Sequence, residues 1–281
     1  MNQQRPFDLV VLDLDGTIIH PYEAGDISPR VIETINAAQA VGVPVTIGTG
    51  RTLVYVRAHI NHIGITTPVI TTQGAMIGDP VSGAVIDEID MPLVPARQLA
   101  AWIDEIGCVA TFYFSDKQGG MHLVQNYTGA DKDFEEYALG KADRLQPSFI
   151  ELFAAPDIAP PIKCIMLNDP RVEEDSEPLL QRKFDTELTV TRTHEILVET
   201  TAPGVDKGNG LRHLCELLGL DPARVLAIGD SENDIPMLKA AGCAVAMGNA
   251  SARLKAVADW IAPGISDDGA AVAMEKFILG K

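Results

Sequence analysis

Residues 10–19 read VVLDLDGTII. Val10, Val11, Leu12 and Leu14 make the near-continuous apolar run of a parallel strand covered on both faces, and Ile18 and Ile19 resume it. Asp13 and Asp15 interrupt that run two positions apart, with Gly16 and Thr17 directly behind them. A buried carboxylate is costly unless it is paired or coordinated, and two of them also repel each other. Residues i and i+2 of a strand share a face, so both carboxylates can approach one point. The stretch therefore predicts a buried strand whose end carries a site.

Outward from this strand the chain alternates helix and strand. ISPRVIETINAAQAVG reads as a helix, with Ser28 as N-cap, Pro29 at the first helical position and Gly42 as its stop. VPVTIGTGR is a second strand, TLVYVRAHINHIG a second helix and TPVITTQGAMIG a third strand. The rhythm then changes. VSGAVIDEIDM reads as a hairpin turning at Ser82-Gly83, followed by a helix in PARQLAAWIDEIG and strands in VATFYFS and MHLVQN. A helix in DFEEYALG, a strand in PIKCIMLN and a helix in PRVEEDSEPLLQRKFDTE complete this part. After about residue 198 the first rhythm returns, with helices in VDKGNGLRHLCELLGL, ENDIPMLKAAG and SARLKAVADW around strands in VLAIGD and CAVAMGN. The fold class is α/β: a doubly wound, Rossmann-like parallel sheet core, residues 1–84 and 199–281, interrupted by an inserted α+β domain, residues 85–198.

Composition narrows the function classes. The 281 residues carry a formal charge of −17, which argues against nucleic acid or an anionic membrane as partner, since both demand a basic footprint. The start, MNQQRPFDLVV, has no apolar signal-peptide core, and no run approaches the roughly 18 apolar residues of a membrane helix. Cys108, Cys164, Cys215 and Cys243 are far apart and show no CxxC spacing, as expected of buried thiols in a reducing cytoplasm.

In an open parallel sheet, functional groups gather at the carboxyl ends of the strands. Asp13 and Asp15 end the first strand, and Thr49 and Gly50 end the second with a hydroxyl and unhindered N–H groups. Asp230 ends VLAIGD and leads into Ser231, Glu232, Asn233 and Asp234, while Lys207 opens a helix among Gly204, Gly208 and Gly210. Acids, a hydroxyl and a lysine on one edge suit a phosphoryl group neutralised by Mg²⁺, a hard cation that favours oxygen ligands.

DLDGT, the Thr of IGTGR, the Lys of GVDKG and GDSENDIPML follow the order of the four motifs of the haloacid dehalogenase superfamily, which the chain resembles. The insert between the Thr and Lys motifs is similar to the large type IIB cap of the Cof-like sugar-phosphate phosphatases. The resemblance implies that Asp13 is the nucleophile, forming an aspartyl-phosphate. It makes Asp15 the general acid and then the base. It places Mg²⁺ between the Asp13 carboxylate, the Asp15 main-chain carbonyl and Asp230, with Asn233 and Asp234 supporting from behind or through water. Thr49, Gly50 and Lys207 hold the phosphoryl oxygens. The function implied is Mg²⁺-dependent hydrolysis of a small phosphorylated metabolite by a cytoplasmic monomer or homodimer. The alternatives are a phosphomutase or phosphotransferase with the same aspartyl-phosphate, or an Asp-phosphorylated signalling module.

Some residues stand outside this set. Arg51 suits either substrate phosphate or a structural ion pair. Gln73-Gly74-Ala75 occupies the place where family members often carry Asn-Gly-Ala, and Gln73 is left out of the site. His59 and His62 lack a third metal ligand, and His122 and Lys163 of the insert read as structural.

Overall fold

A computed structural model describes residues 7–20, 27–61, 63–126, 136, 138–168 and 173–281. The chain divides into two compact units, Met1–Asp87 with Asp206–Lys281, and Glu88–Val205.

The opening stretch forms β1 (Leu9–Leu12), whose four side chains are all fully buried. Next comes α1 (Pro29–Ala40), where the Ser28 hydroxyl accepts the Val31 N–H and Pro29 holds the first turn. β2 (Val45–Ile47) and α2 (Leu53–Ile60) follow, with Thr52 capping the helix. TPVITTQGAMIG, expected to be a single strand, instead folds back on itself as β3 (Val69–Thr71) and the antiparallel β4 (Met76–Gly78). Thr72, Gln73 and Gly74 reverse the chain there with φ of 55°, 60° and 98°. Hydrophobicity alone does not register three consecutive left-handed residues. β5 (Val85–Glu88) completes a three-stranded sheet in the order β3-β4-β5.

In the second unit, α3 (Leu93–Ile106) ends at Gly107 in the left-handed region and leads to β6 (Ala110–Ser115) and β7 (Met121–Gln125). Half of the helix expected in DFEEYALG lies outside the described residues, as do residues 170–172 at the start of PRVEEDSEPLLQRKFDTE. The unit continues with β8 (Arg144–Leu145), α4 (Phe149–Phe153), β9 (Lys163–Leu167), α5 (Ser176–Phe184), β10 (Thr189–His194) and β11 (Leu197–Thr201). The strands form a six-stranded sheet, β10-β11-β9-β6-β7-β8, antiparallel except for the β7–β8 pair. Alternate side chains face α3, α4 and α5 in an apolar core that includes Leu99, Phe112, Phe149, Phe153 and Phe184. Lys163, one residue out of phase with that core, is buried in an ion pair with Glu199 at 2.8 Å.

The chain returns to the first unit through α6 (Lys207–Leu218), β12 (Val225–Gly229), α7 (Ile235–Ala240), β13 (Cys243–Ala246), α8 (Ala252–Lys255), β14 (Trp260–Ile261) and α9 (Gly269–Met274). The helix expected through Trp260 stops at Lys255, and Trp260 itself opens a strand. The central sheet is parallel in the order β14-β13-β12-β1-β2, and a Gly48–Ile70 bridge links β2 to β3. β1 lies between β12 and β2, where the strand order reverses, the place at which such sheets bind ligands.

Both domain boundaries differ from those drawn on the sequence. The break at 84/85 moves to 87/88 because β5, all but its last residue in the first unit, pairs beside β4. The break at 198/199 moves to 205/206 because β11 runs to Thr201 between β9 and β10. All four cysteines are free thiols, three of them buried, and burial pushes the Cys108 thiol up to about 12. Among the described residues, no helix is long and apolar enough to cross a membrane.

Candidate active site

Asp13 and Asp230 leave neighbouring parallel strands at their carboxyl ends, one and two residues beyond the paired Leu12 and Ile228. Gly16, at φ 82°, lets the chain turn away, and a Cβ there would fall 2.2 Å from an Asp230 carboxylate oxygen. Lys207 begins α6, whose N-cap, Asp206, accepts the Asn209 N–H at 2.7 Å. Asp234 lies in the short turn after β12, and one of its carboxylate oxygens accepts the N–H groups of Asp230 and Ser231, each at 3.0 Å.

These placements bring four charged groups together. The Lys207 ammonium donates to Asp13 Oδ1 at 2.7 Å and to Asp234 Oδ1 at 2.6 Å. Lys207, Asp13 and Asp234 are 2%, 4% and 0% exposed, so water screens this cluster little. Asp13, Asp230 and Asp234 each offer a carboxylate oxygen, all within 4.8 Å of one another. Burial, then the charge of Asp234, raises the Asp13 carboxyl well above its usual range against the pull of Lys207. The same two causes push Asp230 up to about 7. Burial alone would lower the Lys207 ammonium, but the charges of Asp13 and Asp234 outweigh it, and its pKa is raised. Three carboxylates facing one ammonium leave a deficit of positive charge. An all-oxygen donor set with that deficit fits Mg²⁺.

Asp15 stands apart from this cluster. Arg51 donates to it twice, Nε to Oδ2 at 3.0 Å and Nη2 to Oδ1 at 2.9 Å, and the guanidinium lies 4.5 Å from the centre of the Tyr55 ring. Of the two readings open for Arg51, the ion pair is the one formed. Thr49 is buried at the end of β2, and its hydroxyl accepts the Arg51 N–H at 3.2 Å. Asp234 joins the acidic cluster, whereas the Asn233 amide turns to Gln73 Oε1 at 3.2 Å. His59 stacks on Tyr55, and His62 lies outside the described residues. In the inserted unit, His122 is exposed and Lys163 is held by Glu199.

Two residues that sequence reasoning left outside the site contact its members. Asn249, just past β13, donates to the Gly16 carbonyl at 2.9 Å and to Asp230 Oδ2 at 3.2 Å, and accepts the Ile265 N–H at 2.9 Å. Its place at a strand's carboxyl end in AVAMGN was the available signal. Gln73 is the other, and its contact with Asn233 depends on the unexpected reversal after β3.

Residues 10–274 match the family model of the haloacid dehalogenase-like hydrolases. A phosphoglycolate phosphatase of Methanopyrus kandleri is 28% identical over 96% of this chain and 97% of its own. The pyridoxal phosphate phosphatase YbhA of Escherichia coli is 27% identical over 89% of this chain and 91% of its own. The solved structure of the subclass IIB sugar phosphatase BT4131 superposes with a TM-score of 0.81 at 23% identity, covering 96% of this chain and 98% of the other, a likeness of fold. With a family model spanning nearly the whole chain, this protein belongs to the haloacid dehalogenase-like hydrolases.

Proposed function

We propose that the protein is a Mg²⁺-dependent phosphatase that removes the phosphoryl group of a small phosphorylated metabolite, a sugar phosphate or a related phosphomonoester, through an aspartyl-phosphate at Asp13. The observation that carries this reading is the buried cluster in which Lys207 spans Asp13 and Asp234 while Asp230 closes the third side.

In the first half-reaction an Asp13 carboxylate oxygen attacks phosphorus, the bond from phosphorus to the leaving oxygen breaks, and Asp15 gives that oxygen its proton. In the second, Asp15 takes a proton from water, the water oxygen bonds to phosphorus, and the Asp13–phosphorus bond breaks to release inorganic phosphate. Lys207 favours the ionised form of Asp13 and offsets charge on the phosphoryl oxygens. Thr49 and the main-chain N–H of Gly50 orient those oxygens. A bound Mg²⁺ supplies further neutralisation of phosphate and carboxylates. Asp13, the Asp15 carbonyl and Asp230 would hold it, with Asp234 and Asn233 behind them. The inserted unit, residues 88–205, serves in this reading to select the leaving group.

Support for the reaction class comes from the family and from relatives named as phosphatases of phosphoglycolate and of pyridoxal phosphate. The test is phosphate release with Mg²⁺ across sugar phosphates, phosphoglycolate, nucleotides and pyridoxal phosphate. A subset of phosphomonoesters should be hydrolysed, and EDTA should abolish the activity. Transfer to an acceptor without release of phosphate would point to a mutase or phosphotransferase, and no turnover of any ester would overturn the reading.

A further inference from the structure

The reversal after β3 is the most strained backbone near the site. Thr72 and Gln73, neither of them glycine, take φ of 55° and 60° in succession, and Thr72 is β-branched. Such conformations are costly and persist where the surroundings over-determine them. Here the restraints are specific. The Thr72 N–H donates to the Arg51 carbonyl at 2.9 Å, and the Gln73 N–H donates to the Thr49 carbonyl at 3.1 Å. The Gln73 side chain then lies across Gly50. A Cβ at Gly50 would fall 2.2 Å from Gln73 Nε2, and the three atoms nearest to it all belong to Gln73. The far side of the same amide accepts the Asn233 Nδ2–H at 3.2 Å. One position later, a Cβ at Gly74 would fall 2.3 Å from the carbonyl of Asp206, the residue before Lys207.

The turn 72–74 thus touches three segments that carry site residues: 49–51, 233 and 206–207. We infer that Gln73 is a positioning residue that locks the Thr49–Arg51 turn against the acidic turn of Asp230–Asp234, with the backbone strain held by that lock. It acts through Thr49, Gly50 and Asn233 and need not touch substrate. The role rests on the phosphatase reading for its kinetic consequence but not for its structural one. Gly50 lacks a side chain in this account because the amide of Gln73 occupies that space.

Gln73→Met keeps the volume and removes both polar atoms of the amide, and Gly50→Ala keeps the amide but pushes it off Asn233. With a phosphomonoester at saturating Mg²⁺, each variant is expected to lower kcat about tenfold while KM moves less than about threefold, as for an interaction used mainly in the transition state. The double variant should be no slower than the slower single one, because both changes break the same lock. Wild-type kcat in either single variant, or losses that multiply in the double, would overturn the assignment. Hydrogen exchange supplies the readout independent of turnover: amides of 49–51 and 231–234 should exchange faster in both variants, with the five-stranded sheet unchanged. If the wild type hydrolyses no ester, the phosphatase reading fails and exchange alone decides the role of Gln73, unaltered rates at both turns refuting it.

Discussion

Arg51 grips the carboxylate of Asp15 with two hydrogen bonds, at 3.0 and 2.9 Å, while its guanidinium rests against the ring of Tyr55. A bidentate pair fixes orientation as well as distance. The stacking leaves the fork little freedom to turn. Asp15 is the proposed proton carrier, so its orientation bears on both half-reactions.

Arg51→Ala should therefore slow turnover by about 10- to 100-fold, within the range general acid–base catalysis contributes. The loss should be larger for an alkyl phosphate than for an activated aryl phosphate, whose leaving group needs no proton. Arg51→Lys should recover little, because an ammonium cannot form the fork. Equal losses on both esters, read from kcat, would assign Arg51 to something other than Asp15.

Asp13→Asn keeps the size of the side chain and removes the nucleophile. Turnover of any phosphomonoester under saturating Mg²⁺ should fall below about a thousandth of wild type. Substantial residual phosphate release would sink the covalent mechanism.

Asp15→Asn leaves Asp13 able to attack but removes the base for the second half-reaction. With an activated aryl phosphate, rapid-mixing experiments should show a burst of phenol followed by a slow steady state, with phosphate retained on the protein. A steady-state rate equal to wild type would exclude Asp15 as the base that activates water.

Asp230 gives the site a pH dependence whose sign can be worked out. Burial and the charge of Asp234 raise its carboxyl to about 7, while an unfolded aspartate titrates at about 3.9. Between those values the folded chain holds more protons than the unfolded one. The stabilisation is complete below the lower value and lost as pH rises through the upper. A cation must displace that proton, as it must any proton held by the raised Asp13 carboxyl, so Mg²⁺ affinity measured by calorimetry should climb as pH rises from about 5.5 through 7. A flat profile would mean that Asp230 is not a ligand.

In the inserted unit, the Phe112 ring centre lies 4.9 Å from those of both Phe149 and Phe153, in edge-to-face geometry at 90° and 70°. Phe112→Ala should cost about 3–5 kcal/mol, from lost burial and the cavity left behind. Denaturant unfolding checks this, and a loss below about 1 kcal/mol would show that the three rings repack freely.

Reading order and spacing along the chain was enough for the alternating core and the interruption by an α+β unit, and it singled out Asp13, Lys207, Asp230 and Asp234, which the fold brings close to one another. These signals are local: an apolar run broken by two acids, an N-cap before a periodic stretch, a glycine at a helix end. Each is set by short-range sterics, hydrogen bonding and hydrophobic period.

What escaped the pattern depends on residues distant in sequence. The reversal at Thr72–Gly74 opposes the intrinsic preference of threonine and glutamine, and the carbonyls of Thr49 and Arg51 impose it. Arg51 faced two equally good partners until folding set Asp15, 36 residues away, within reach. Asn249 acquires a role because β13 ends close enough to reach Gly16 and Asp230. The unit boundaries moved because strand pairing, a contact between remote segments, claimed residues 85–87 for one unit and Leu197–Thr201 for the other. Helices, buried strands and the charged groups at their ends were legible because neighbours along the chain determine them. The partner of each charged group was not, because packing chooses it from everything the fold brings near.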